Sequence, residues 1–106
     1  MEIKVLPRFI TKETAKLLYD KGITKAEEYY YDTENNGIYP KITQDVVRTW
    51  LREKYDVEMN IIHHSDKSYE GIIKTPFMSR SKIVIRIATK FEEALEECIR
   101  KGILTI

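Results

Sequence analysis

Apolar positions fall at helical spacing in three stretches of the chain and at strand spacing through most of the remainder. In the central stretch Val46, Val47, Trp50, Leu51 and Tyr55 recur every three or four residues, while Asp45, Arg48, Thr49, Arg52 and Glu53 fall on the opposite side. Thr43 is the N-cap expected for it, because its hydroxyl accepts from a backbone N–H two or three residues on, and Pro40 holds the preceding chain extended. The helix therefore begins near Gln44, and Asp56 breaks the pattern. An earlier helix opens at Thr11 and runs to about Lys21, with Ile10, Thr14, Leu17 and Leu18 toward the core, Ala15 beside them and Gly22 as its stop. The last helix opens at Thr89, where Thr-Lys-Phe-Glu reads as a capping box closed by Glu92. Phe91, Ala94, Leu95, Cys98 and Ile99 form its apolar face, Glu93, Glu96, Glu97 and Arg100 its wet face, and Gly102 its stop.

Strand periodicity fills the gaps. Residues 2–6 alternate up to Pro7 as a short edge strand. Glu28 to Asp32 carries Tyr29, Tyr30 and Tyr31 in succession, and Asn35-Asn36-Gly37 is a turn signal that doubles the chain back through Ile38 and Tyr39. Val57, Met59 and Ile61 alternate with Glu58, Asn60 and Ile62. A further strand spans about Tyr69 to Thr75, and a third spans Lys82 to Ala88 with Ile83, Ile85 and Ile87 set against Lys82, Val84 and Arg86. The order α-β-α-β-β-β-α predicts a single α+β domain over residues 1–106: a two-layer sandwich, three helices on one face of a mostly antiparallel sheet with a β-meander.

Composition narrows this picture without redirecting it. The 106 residues are 42% apolar and 33% charged, enough for a self-supporting core, and 18 basic against 17 acidic residues leave a net charge of +1 that favours no class of partner. No apolar run reaches the roughly 20 residues of a membrane span. MEIKVLPRF lacks the apolar centre of a signal peptide, and Cys98 is the only cysteine, so a cytoplasmic, reducing location is expected.

The segments ITKETAKLLYDKGI, YYYD followed by YP, TQDVVRTWLREKY and FEEALEECI resemble those of small proteins encoded by phages, prophages and gut bacterial genomes. That resemblance covers most of the chain. It implies a small α+β domain and no particular activity. Proteins of that group often carry proline where Ile42 stands, and a helical tail where this chain has Gly102 and ILTI.

Three surfaces invite a binding role. Tyr29, Tyr30, Tyr31 and Tyr39 form an aromatic hairpin suited to a protein partner or to stacked bases, although alternation sends at least one ring of the first three inward. Residues 76–88 hold Arg80, Lys82 and Arg86 without an acid, beside Phe77 and Met78; they read as a phosphate or acidic-partner grip, or as a charged strand edge that discourages aggregation. The central helix resembles a groove-reading helix, but its Arg48 and Arg52 are balanced by Asp45 and Glu53, so it reads as an ordinary amphipathic core helix with Asp45–Arg48 pairing on its surface. Catalysis has little support. His63 and His64 are adjacent and point to opposite faces of a strand, Cys98 lies on an apolar helix face, and neither a Gly-rich phosphate loop nor a cysteine cluster is present. The expectation is a non-enzymatic domain with no cofactor or metal that binds another macromolecule, a protein first and nucleic acid through the basic loop as the alternative.

Overall fold

A computed structural model describes residues 8–76 and 80–106. The expected strand at 2–6, and Phe77 and Met78, lie outside those residues. The elements run α1 (Lys12–Asp20), β1 (Glu28–Asp32), β2 (Gly37–Lys41), α2 (Gln44–Tyr55), β3 (Glu58–His63), β4 (Tyr69–Lys74), β5 (Lys82–Ile85) and α3 (Phe91–Leu104). The class is α+β, in the order the pattern predicts. The strands divide into two antiparallel sheets, the hairpin β1-β2 and the meander β3-β4-β5.

Local signals explain the helix ends. The Thr11 and Thr43 hydroxyls accept from the N–H groups of Thr14 and Val46, as expected of N-caps. At the end of α1, Gly22 adopts φ +93°, with Gly22 N–H bonded to Tyr19 O and Ile23 N–H to Leu18 O. This is a Schellman motif, and only glycine enters that backbone region without a steric penalty. Asp56 ends α2 in the left-handed conformation at φ 57°.

Two helix-end expectations fail at α3. Lys90, not Thr89, is the N-cap, and it makes no side-chain capping bond. Tyr69 N–H holds the Ala88 carbonyl at 2.9 Å, which ties the chain just before Thr89 to the start of β4, and the capping box does not form. Nor does Gly102 stop the helix, which continues to Leu104 and buries Ile103 completely. Gly102 is instead a packing residue: a Cβ there would stand 3.3 Å from both Leu51 Cδ1 and Val57 Cγ1.

The core joins Ile10, Leu18, Val47, Leu51, Met59, Ile73, Leu95, Ile99 and Ile103, drawn from all three helices and the meander. Ala15, expected at its margin, is fully buried. Burying each leucine or isoleucine contributes about 1.5–3 kcal/mol. α3 lies close on β4 because Gly71 has no side chain: a Cβ would meet Cys98 Sγ at 2.5 Å. On α2 only Val47 and Leu51 of the expected apolar face are buried, whereas Trp50 and Tyr55 are half-buried and Val46 is 57% exposed.

β5 is shorter than expected and loses its simple alternation. Gly71 pairs with Ile85 and Ile72 with Ile83, so Val84 is an extra residue, a β-bulge. The slip turns Ile85 inward with Gly71, leaves Ile83 45% exposed on the outer face, and lets Val84 reach the core. Ile87, beyond the strand, is 81% exposed and not the core residue the period implies.

Candidate functional site

The aromatic hairpin is organised by its register. Tyr30 stands opposite Tyr39 and Asp32 opposite Gly37 on one face, while Tyr29 faces Pro40 and Tyr31 faces Ile38 on the other. The first face is tied to α1 and to the segment before it. The Tyr30 hydroxyl donates to the Ile10 carbonyl, and Tyr39 packs edge-on against Tyr19 with centroids 5.6 Å apart. Lys16 Nζ lies 3.0 Å from Asp32 Oδ2 and 5.5 Å from the Tyr39 centroid. The bond from Lys16 holds the Asp32 carboxyl down at about 2, assisted by Asn35, and Asp32 in turn raises the Lys16 ammonium. Burial pushes the Tyr30 hydroxyl up. Tyr30 and Tyr39 are thus half-buried and held against α1 and the segment before it.

The other face is closed at one end and open at the other. Pro40 is buried, and the Tyr29 hydroxyl accepts from Ala26 N–H at 3.0 Å. Toward the turn, Tyr31 is 70% and Ile38 51% exposed, side by side across the strands. Two hollows flank the tip: one of about 240 Å³ between Tyr31 and Ile38 beside Asn36, the other of about 430 Å³ between Ile38 and Tyr19. Asn36 shapes the turn at φ 52°, a conformation asparagine tolerates. Ile38 is a binding candidate the sequence reading passed over; its signal was the position opposite Tyr31 once the Asn-Asn-Gly turn fixes the register.

The basic candidates do not form one surface. Arg80, Lys82 and Arg86 are exposed on or beside β5 and, among the described residues, form no ion pair. Arg48 and Arg52 lie beside the opposite edge of the meander with Val57 to Asn60, two strand spacings away or about 10 Å. The expected Asp45–Arg48 pairing is absent among the described residues. Arg48 Nη2 donates instead to the Met59 carbonyl at 2.8 Å, because the guanidinium reaches the edge of β3 away from β4.

Potential chemical groups are held in structural contacts. His63 stacks on Tyr69 with centroids 4.5 Å apart, and His64 Nε2 lies 3.0 Å from Glu70 Oε2. Burial pushes the Cys98 thiol up to about 12, which keeps it protonated and unreactive at neutral pH. Among the described residues no group of three or more His, Cys, Asp or Glu side chains is placed to hold a metal ion.

A cleft of about 520 Å³ opens where the N-terminal ends of the three helices converge, lined by Arg8, Phe9, Thr11, Gln44, Lys90 and four glutamates of α3 among others. Glu96, expected on the wet face, accepts from Thr11 N–H and hydroxyl, both at 3.1 Å, from the Thr14 hydroxyl, and from Gln44 Nε2 at 2.9 Å. Its carboxylate is engaged in joining the helices. Thr14 on the apolar side of α1 was the sequence clue, since a buried hydroxyl needs a partner.

Among the described residues no helix is long and apolar enough to cross a membrane. Compared with protein-family models, curated proteins and solved structures, the chain matches none.

Proposed function

We propose that the protein is a small non-enzymatic domain that binds a protein partner through the open end of its hairpin. One observation carries this reading: Tyr31 and Ile38 stand opposite each other, 70% and 51% exposed, on a two-stranded sheet whose other face is committed to α1. An exposed aromatic–aliphatic pair between two hollows suits the buried anchor of a protein interface. The buried cysteine and the absence of a membrane-spanning helix among the described residues are compatible with a cytoplasmic setting. The resemblance to phage- and prophage-encoded proteins suggests a bacterial lysate as the source of prey. Immobilised wild type should retain a protein that the Tyr31→Ala/Ile38→Ala variant does not; identical retained proteins refute the reading.

A second reading has its own support, the run of Arg80, Lys82 and Arg86 without ion-pair partners among the described residues. Nucleic-acid binding there weakens steeply with salt. No mobility shift with DNA or RNA at low salt ends that alternative.

A further inference from the structure

The outer edge of β3 presents a second surface, built from elements other than the hairpin. In the β3-β4 ladder Glu58 pairs with Lys74, Asn60 with Ile72 and Ile62 with Glu70. At the next step His64 N–H donates to Ser68 O at 2.8 Å, so the even-numbered residues are those whose main chain bonds to β4. Met59, Ile61 and His63 therefore turn their N–H and C=O groups outward. The Arg48 bond to the Met59 carbonyl has the direction this requires. It also leaves the Ile61 main chain available, because among the described residues no strand pairs along this edge.

Charge along the edge is equally specific. A groove of about 210 Å³ follows it, lined by Arg48, Arg52, Val57, Glu58, Met59 and Asn60. Arg52, one helical turn after Arg48, is exposed and forms no ion pair among the described residues. Both guanidinium groups come from the helix layer, which lies on the inner face of the meander. An added strand would place alternate side chains toward them, and the intervening ones beside Asn60 and Ile62 on the outer face.

We propose that the β3 edge takes an extended acidic peptide segment by strand addition, its main chain bonding to Ile61 and His63 and a carboxylate at an alternate position bonding to Arg52. An unpaired ladder edge supplies affinity for any extended chain, and flanking side chains supply the selection. A second copy of this chain fits poorly. Face-matched antiparallel pairing sets Met59 against His63 and Glu58 against His64, and the opposing strand has no further carboxylate for Arg52. Nucleic acid would supply phosphates to the guanidinium groups and nothing to continue the ladder.

The test is titration of the ¹⁵N-labelled full chain, to millimolar peptide, with an acetylated and amidated decapeptide alternating glutamate and valine. The amides of Ile61 and His63 should shift, and Ile61 should exchange more slowly with solvent. Arg52→Glu should weaken binding by about tenfold or more, the loss expected for a carboxylate–guanidinium pair. N-methylation of the peptide at alternate residues should abolish binding, and a lysine–valine peptide should not bind. Tyr31→Ala/Ile38→Ala should bind the peptide unchanged, which separates this surface from the hairpin. Absence of shifts at residues 59–63, or equal binding by the N-methylated peptide, overturns the proposal. So does an oligonucleotide that shifts the same amides as strongly, or a shift that grows with protein concentration alone and marks a second copy as the occupant.

Discussion

Replacing Glu96 by alanine tests whether a half-buried carboxylate, and not hydrophobic packing alone, fixes the mutual placement of the three helices. The change removes the acceptor for Thr11 N–H and hydroxyl, for the Thr14 hydroxyl and for Gln44 Nε2. Thr11 is exposed and turns to water, but Thr14 is 0% and Gln44 5% exposed. Each keeps one other partner, Thr14 the Thr11 hydroxyl at 3.1 Å and Gln44 Nε2 the Glu92 carbonyl at 3.2 Å, so each loses a bond to a charged group, about 1.5–3 kcal/mol. The expected loss is about 3 kcal/mol, below the upper sum, because the carboxylate borders an open cleft and water replaces part of what is removed. For 106 residues the unfolding entropy is roughly 0.2 kcal/mol per degree, so the midpoint should fall by about 10–15 °C. Thermal and urea unfolding followed by circular dichroism at pH 7 measures both. Glu93→Ala, one turn earlier on the wet side, should stay within about 0.5 kcal/mol of wild type. In a double-mutant cycle Glu96→Ala and Thr14→Val should show about 1 kcal/mol of coupling or more. If Glu96→Ala matches the Glu93→Ala control, or the two changes in the cycle simply add, the carboxylate does not join the helices and the reasoning fails.

Trp50→Ala should destabilise by about 2–3 kcal/mol, below the 3–5 typical of a fully buried aromatic, since the ring is only half-buried beside Leu18, Ile23, Ile42 and Val47; the urea midpoint reads this. Gly71→Ala should cost about 1–3 kcal/mol in the same assay, because the new methyl meets Cys98 Sγ and the Ala94 carbonyl of a helix that must then move off β4. Asp32 has a folded pKa held below its unfolded value, so its pairing with Lys16 contributes stability above about pH 4 that disappears as pH falls through about 2. A ¹³C titration of its carboxyl should give a midpoint near 2, and Lys16→Met should move that midpoint upward.

Much of the local structure was legible in the residue pattern because its causes are local. Thr11 and Thr43 cap where a hydroxyl precedes an apolar period, Gly22 ends α1 where the backbone needs positive φ, and Asn35-Asn36-Gly37 turns the hairpin. Val57 and Met59 face inward by simple alternation. Such features depend on neighbours within four residues, so the sequence by itself determined the α+β class, the element order and the candidate aromatic hairpin.

Tertiary structure decided the rest, at positions where a partner distant in the chain outweighs a local preference. The sheet bond from Tyr69 N–H to Ala88 displaced the Thr89 cap, and close packing against Leu51 and Val57 kept Gly102 inside α3. A bulge at Val84 reversed the outlook of Ile83 relative to Ile85. Arg48 left its surface neighbour for the Met59 carbonyl, and Glu96 left the solvent for hydroxyls 82 and 85 positions away. Those bonds join groups whose proximity no periodicity encodes. For the same reason, which of the tyrosines remained available to a partner became visible only when Tyr30 and Tyr39 were seen held against the α1 region and Tyr31 was not.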